Sequence, residues 1–243
     1  MKILITGASS GIGAELAREY ASKDNELILL ARREDRLLAL KNELEDKVKS
    51  VDIIVADVIK FKKLQEKLKG IGFVDILVLN AGVSLGHTDD IPTIDEFKYL
   101  FDVNLLSNHA ILEVFLPILK EHKSSKIVFI SSLASLFSMP SAKAYASSKR
   151  ALNAYAEALR YKYSSYGIKV ITVLPGFIKS ELTDKNEFDM PFLLSTQDGV
   201  KKIRYAIDNN KRFYPFPFVF YMIIKLLNLF PSFFVEKIVE KYK

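Results

Sequence analysis

Tyr145 and Lys149 stand four residues apart in AYASSKRAL (144–152), a stretch that reads as helix. Residues at i and i+4 are neighbours on one helix face, so a phenol and an ammonium would meet there. A free phenol titrates at about 10, too high to exchange a proton efficiently at neutral pH. An ammonium about 4 Å away, at an effective dielectric of about 20, favours the phenolate by roughly 4 kcal/mol. By that reasoning Tyr145 is a general acid/base whose proton affinity Lys149 lowers, by at most about three pKa units because water dilutes the effect. A tyrosine–lysine pair on its own is also a common surface contact, so the elements around it must decide.

Those elements follow one pattern. Near-continuous apolar runs at 2–6 (KILIT), 26–31 (ELILLA), 51–56 (VDIIVA), 74–79 (VDILVL), 126–131 (KIVFIS) and 168–174 (IKVITVL) read as strands. Runs of this kind suit a parallel sheet covered on both faces. Segments of helical spacing lie between them, such as the stripe Leu37, Leu40, Leu44 and Val48. Repeated βα units predict an α/β fold with a doubly wound parallel sheet, Rossmann-like, in three α/β/α layers. One dinucleotide-binding and catalytic domain is expected over 1–210, with 211–243 as an aromatic-rich, basic, helical C-terminal extension of it.

TGASSGIG (6–13) joins the first strand to the first helix. Gly7 permits a tight turn, Gly11 a close backbone approach to a pyrophosphate, and Gly13 close packing of helix on sheet. Ser9, Ser10 and Ile12 complete that loop. A site for the non-phosphorylated cofactor usually carries Asp or Glu about 20 residues on, against the ribose 2′-hydroxyl. Ala31 stands there instead, followed by Arg32 and Arg33. Guanidinium groups pair with a 2′-phosphate in forked, charge-assisted hydrogen bonds, so NADP is the expected cofactor.

The motifs in order resemble one family. TGASSGIG, Asp57–Val58, NAG (80–82), Asn104, Ser132, Tyr145, Lys149 and PG (175–176) together resemble the short-chain dehydrogenase/reductase family, single-domain branch, over about residues 1–182. The resemblance implies that Asp57 and Val58 lie near the adenine, and that Asn80, Ala81 and Gly82 line the cofactor. It implies that Ser132 hydrogen-bonds a substrate carbonyl or alcohol and that Asn104 holds a water near Lys149. Pro175, Gly176, Ile178 and Ser180 would cradle the nicotinamide. Tyr145 and Lys149 would serve both catalysis and cofactor binding. Two departures are read: LNAG in place of a double asparagine, and loss of the family's usual C-terminal strand and glycine-rich ending, which puts its usual tetramer in question.

The remaining residues bound the function. The chain has no cysteine, so disulfides and thiolate metal sites are absent. His87, His109 and His122 share no metal-ligand spacing, and no metal is expected. Ser131, Ser135 and Ser138 lack a nucleophile-elbow context. Residues 1–200 hold 26 basic and 26 acidic groups, and residues 201–243 hold 9 and 3, which supplies the whole net charge of +6. A neutral body argues against nucleic acid as a partner. No secretory signal is read at the N-terminus, so the expected location is cytoplasmic.

Phe188, Met190, Phe192, Leu193 and Leu194 suggest an apolar lid suited to a hydrophobic carbonyl or alcohol, or simple packing of that loop. In the tail, Tyr221, Lys225, Asn228 and Ser232 make a narrow polar stripe on an otherwise apolar helix. That pattern fits burial in a core or subunit interface, with a homodimer favoured, or contact with the inner face of a membrane. The leading expectation is an NADP(H)-dependent oxidoreductase interconverting carbonyl and secondary alcohol. A non-catalytic NADP-binding regulatory or scaffold protein and a sugar-nucleotide epimerase or dehydratase are the rivals.

Overall fold

The computed structural model describes residues 1–243 except 87–89, 123, 185, 187–188 and 241–243. The elements follow the chain as β1 Lys2–Thr6, α1 Gly11–Glu19, β2 Glu26–Ala31, α2 Glu34–Leu44, β3 Ser50–Val55, α3 Phe61–Leu68 and β4 Ile76–Leu79. They continue as α4 Ile94–Phe101, α5 Ser107–His122, β5 Lys126–Ile130, α6 Lys143–Tyr163, β6 Lys169–Pro175, α7 Thr196–Asp208, β7 Phe213–Phe216, α8 Phe218–Leu227 and α9 Ser232–Glu240.

The strands form one parallel sheet in the order β3-β2-β1-β4-β5-β6-β7. Alternation along each strand splits the core in two. Ile3 and Ile5 of β1 join Leu16 of α1 and Val200 and Ile203 of α7 on one face. Leu4 joins Leu64 of α3, Phe115 of α5 and Leu152 of α6 on the other. The strand order reverses direction between β1 and β4, which opens a crevice at the carboxyl ends of those strands. The loops after β1, β2, β3, β4, β5 and β6 all converge there.

The α2 stripe is buried as expected, although the helix stops at Leu44 and Val48 packs from beyond its end. The expectation of a missing C-terminal strand is wrong. β7 pairs in parallel with β6, Thr172 opposite Phe213 and Pro175 opposite Phe216, and Gly176 N donates to Phe216 O at 2.7 Å. Four residues with a proline inside, at the sheet edge where an N–H can be spared, carry almost no strand signal. The stretch read as a helical extension therefore opens inside the sheet. Nor does the core absorb the apolar helix that follows: of α8, only Ile224 is buried. No helix among the described residues is long and apolar enough to cross a membrane.

Phe216 is buried on the edge of this sheet. Ending the chain after residue 210 should lower the melting temperature by about 10 °C or more, since burial of one phenylalanine is worth about 3 kcal/mol. A thermal melt that coincides with that of the full chain would show β7 to be dispensable.

Candidate active site

The crevice is a cleft of about 380 Å³. At one end the loop after β1 turns with Gly7 and Gly11 in the left-handed region, φ 66° and 51°. A Cβ on Gly7 would come within 3.0 Å of Ala81 Cα. Thr6 ties this loop to the next strand: its Oγ1 accepts Asn80 N at 2.9 Å and Ala81 N at 3.0 Å. Asn80 Nδ2 in turn donates to Thr6 O at 2.8 Å. Gly7, Ser9, Ser10, Gly11 and Ile12 line the cleft, and Gly13 does not. A Cβ on Gly13 would sit 2.3 Å from Gly7 O, so Gly13 lets α1 start directly behind the loop.

Arg33 reaches across this end, donating to Ser9 Oγ at 3.2 Å and Ser10 Oγ at 2.6 Å. Its third arm pairs with Glu181 at 2.8 Å, and Glu181 also pairs with Arg36. The two guanidinium groups hold the Glu181 carboxyl down to about 2. Arg32 donates to the Tyr99 hydroxyl at 3.3 Å. Ala31 lines the wall between, at the position where a site for the non-phosphorylated cofactor usually carries a carboxylate. Arg36, Tyr99 and Glu181 were missed by sequence reasoning. Arg36 was legible as the residue one turn after Arg33, whereas Glu181 lies 148 residues from Arg33 and only the fold unites them. Asp57 and Val58 line the same end, Asp57 accepting Ile59 N at 3.3 Å.

At the other end Ser132, Tyr145 and Lys149 meet Gly82, Pro175, Gly176, Ile178 and Ser180 on the cleft wall. Tyr145 and Lys149 come from α6, and the Lys149 ammonium stands 5.9 Å from the centroid of the Tyr145 ring. It donates to Ile130 O at 2.9 Å. Lys149 is 4% exposed, and burial lowers it to about 8. Burial pushes the Tyr145 phenol up, with a hydrogen bond from Ser132 acting against that. This corrects the expected direction, which took the ammonium to be about 4 Å away in a half-wet setting. Removal of water raises a phenol and lowers an ammonium, and that outweighs their attraction.

Asn104 does not line the cleft. It lies in a π-helical turn, Asp102–Leu106, between α4 and α5, and is fully buried. Its Oδ1 accepts Val83 N at 2.9 Å, and its Nδ2 donates to Val83 O and Ser148 Oγ, both at 3.0 Å. Ser148 Oγ donates to Tyr145 O at 2.8 Å. A Cβ on Gly82 would fall 3.3 Å from Lys149 Nζ and 3.4 Å from Asn104 Oδ1, so Asn104 fixes the backbone against which the ammonium rests. Thr183, also missed, holds the segment after β6: its Oγ1 accepts Ser180 N at 2.8 Å and donates to Ile178 O at 2.9 Å.

The other singled-out side chains lie elsewhere. His109 Nδ1 is 2.7 Å from the Tyr155 hydroxyl, and His122 packs on Phe73. His87 and Phe188 fall outside the described residues. Among the described residues no group of His, Cys, Asp and Glu could hold a metal ion. Phe192 and Leu193 are exposed, and Phe192 meets Phe220 of α8 with centroids 5.8 Å apart.

Comparison with known proteins identifies the family and the fold. The family described as short chain dehydrogenase matches residues 1–190. An uncharacterized oxidoreductase of Myxococcus xanthus (strain DK1622) is 32% identical over 235 residues, 94% of this chain and 92% of that protein. The 11-beta-hydroxysteroid dehydrogenase-like 2 of Arabidopsis thaliana is 37% identical over 215 residues, 84% of this chain and 68% of that protein. Among solved structures, the short-chain dehydrogenase from Sphingobium yanoikuyae in complex with NADPH superposes with a TM-score of 0.83 at 25% identity, covering 89% of this chain and 88% of that one. The chain belongs to the short-chain dehydrogenase/reductase family, a family of oxidoreductases.

Proposed function

We propose that the protein is an NADP(H)-dependent oxidoreductase that interconverts a carbonyl and a secondary alcohol on a hydrophobic substrate. The observation that carries this reading is the convergence of Ser132, Tyr145 and a buried Lys149 at one end of a cleft whose other end holds Arg32 and Arg33. The residues fit the cofactor. Gly7 and Gly11 expose the backbone of the loop after β1 to the cleft, and Gly82 leaves open the wall beside the Lys149 ammonium. Ala31 offers no carboxylate to repel a 2′-phosphate, and Arg33, Ser9 and Ser10 form a ready set of anion donors. The Sphingobium relative, solved with NADPH, supports the same choice.

Glu181 is a competitor for that anion. It lies on Arg33 and Arg36, and a 2′-phosphate would have to displace it. Glu181→Gln should tighten NADPH binding about fivefold, the scale of a half-exposed ion pair, and change NADH binding little. Equilibrium titration of both nucleotides checks this, and an equal effect on the two would remove the 2′-phosphate from the assignment.

A nicotinamide cofactor held by Arg33, Ser9, Ser10 and Lys149 would, when bound, supply or receive the hydride. Ser132 and Tyr145 hydroxyls hold the substrate oxygen. Burial keeps the phenol protonated, the form that reduction requires, and the proton passes from Tyr145 to the oxygen as negative charge develops there. The Lys149 ammonium then stabilises the phenolate left behind, in a site where low dielectric strengthens that attraction. Asn104 is a positioning residue, fixing the Gly82–Val83 backbone beside the ammonium. Oxidation of an alcohol runs the same steps backwards.

Tyr145→Phe should abolish nearly all turnover, by about 10²-fold or more, while NADPH affinity stays within a few-fold. Retained turnover in a carbonyl-panel assay would refute the role. A rise in pH removes the proton from Lys149, at about 8, before it reaches the phenol. Reductive kcat/KM should therefore decline above pH about 8, and a profile flat to about pH 10 would contradict the ammonium's part.

A further inference from the structure

α8 is docked the wrong way round for a helix of a water-soluble surface. Its body-facing side is carried by Ile224, by Phe220 and Tyr221, and by Asn228, whose Nδ2 donates to Leu136 O at 2.8 Å. Phe218, Val219, Ile223, Leu226, Leu229 and Phe230 are all exposed, Phe218 at 67% and Leu229 at 80%. On a helical wheel Phe218, Val219, Ile223 and Leu226 share one arc, with Lys225 at its edge, and Leu229 and Phe230 follow in the turn beyond the helix. α9 adds exposed Phe233 and Phe234, which pack on one another with centroids 5.4 Å apart. A contiguous apolar face of this extent marks a binding surface.

The surroundings favour one occupant. Residues 201–243 carry 9 basic and 3 acidic groups. A second copy paired face to face would set that positive excess against itself, whereas an anionic bilayer complements it. Neither α8 nor α9, of 10 and 9 residues, can span a bilayer, but both can lie in its interface. We infer that the outward face of α8 and α9 docks on the surface of an anionic lipid bilayer.

The position of α8 ties that surface to the cleft. A Cβ on Gly176 would meet Pro217 Cδ at 3.0 Å and Phe220 Cδ1 at 3.4 Å, so α8 begins directly against the cleft wall. Phe220 also stacks near Phe177 at 6.0 Å and meets Phe192. Docking brings the cleft mouth to the lipid boundary, from which a membrane-dissolved carbonyl compound can enter. That last clause rests on the oxidoreductase reading; the docking itself does not.

The test keeps the full chain, because β7 precedes α8 in the sheet. Flotation is measured with vesicles of mixed phosphatidylglycerol and phosphatidylcholine and with phosphatidylcholine alone. The protein should float with the anionic vesicles, less so as salt rises and less with the neutral ones. Phe218→Ser/Leu226→Ser/Phe230→Ser should weaken binding at least about tenfold, with NADPH affinity unchanged as the sign of an intact cleft. The chain has no tryptophan, so Leu229→Trp supplies a single reporter whose emission should shift blue on anionic vesicles. Absence of flotation at low salt, flotation unaffected by the triple substitution, or an unshifted reporter would overturn the inference. So would a dimer by light scattering that the triple substitution dissolves. Vesicle binding with no carbonyl reduction would leave the docking standing and sink the enzyme reading instead.

Discussion

A lysine buried with no carboxylate partner among the described residues is the constraint on which the site turns. Lys149 is 4% exposed and has Ile130 O as its hydrogen-bond acceptor. Removing an ammonium from water favours its neutral form, so its folded pKa lies below its unfolded one. The sign follows from proton counting. Below pH about 8 both states hold the proton and the folded state bears the full cost, about 3 kcal/mol. Between about 8 and the unfolded value of about 10.4 the unfolded state holds more protons, so stability rises with pH and the cost fades. The fold carries this cost at neutral pH through the cores on either side of the sheet, and keeps the cation beside a phenol that burial holds protonated.

The sheet reversal is what makes such a placement available. It brings six loop ends together, and each supplies a different part: glycines after β1, arginines after β2, Asp57 and Val58 after β3, Gly82 after β4, Ser132 after β5 and the Pro175–Ser180 segment after β6. α6 then presents Tyr145 and Lys149 one turn apart along the same wall. Asn104 reaches that wall through the backbone of Val83 and through Ser148 of α6, by way of a π turn, a local irregularity often found beside functional sites.

Much of this was legible beforehand for physical reasons. Strands buried on both faces are long apolar runs, and six were visible as such; turn glycines and the tyrosine–lysine spacing are short-range patterns that the chain carries in itself. What was not legible depended on distance and burial. β7 is too short and proline-marked to announce itself. Glu181 meets Arg33 only after folding, and the direction of the Tyr145 shift reversed because spacing along a helix says nothing about how much water remains. The tail helix showed its polar stripe in the sequence, but the wheel could not say which side faces the body. The structure docks the helix by its Phe220, Ile224 and Asn228 side and turns Phe218, Ile223 and Leu226 outward.

The account is tested most directly by titrating Lys149 itself in the cofactor-free protein. NMR of lysine labelled at the ε-carbon, with the signal assigned by its loss in Lys149→Met, reads the protonation of that one ammonium. A midpoint at about 8 is the result expected for a lysine dried by this fold. A midpoint at the ordinary value of about 10.4 would mean that water or a carboxylate reaches it, and the electrostatics assigned to Tyr145 would not hold.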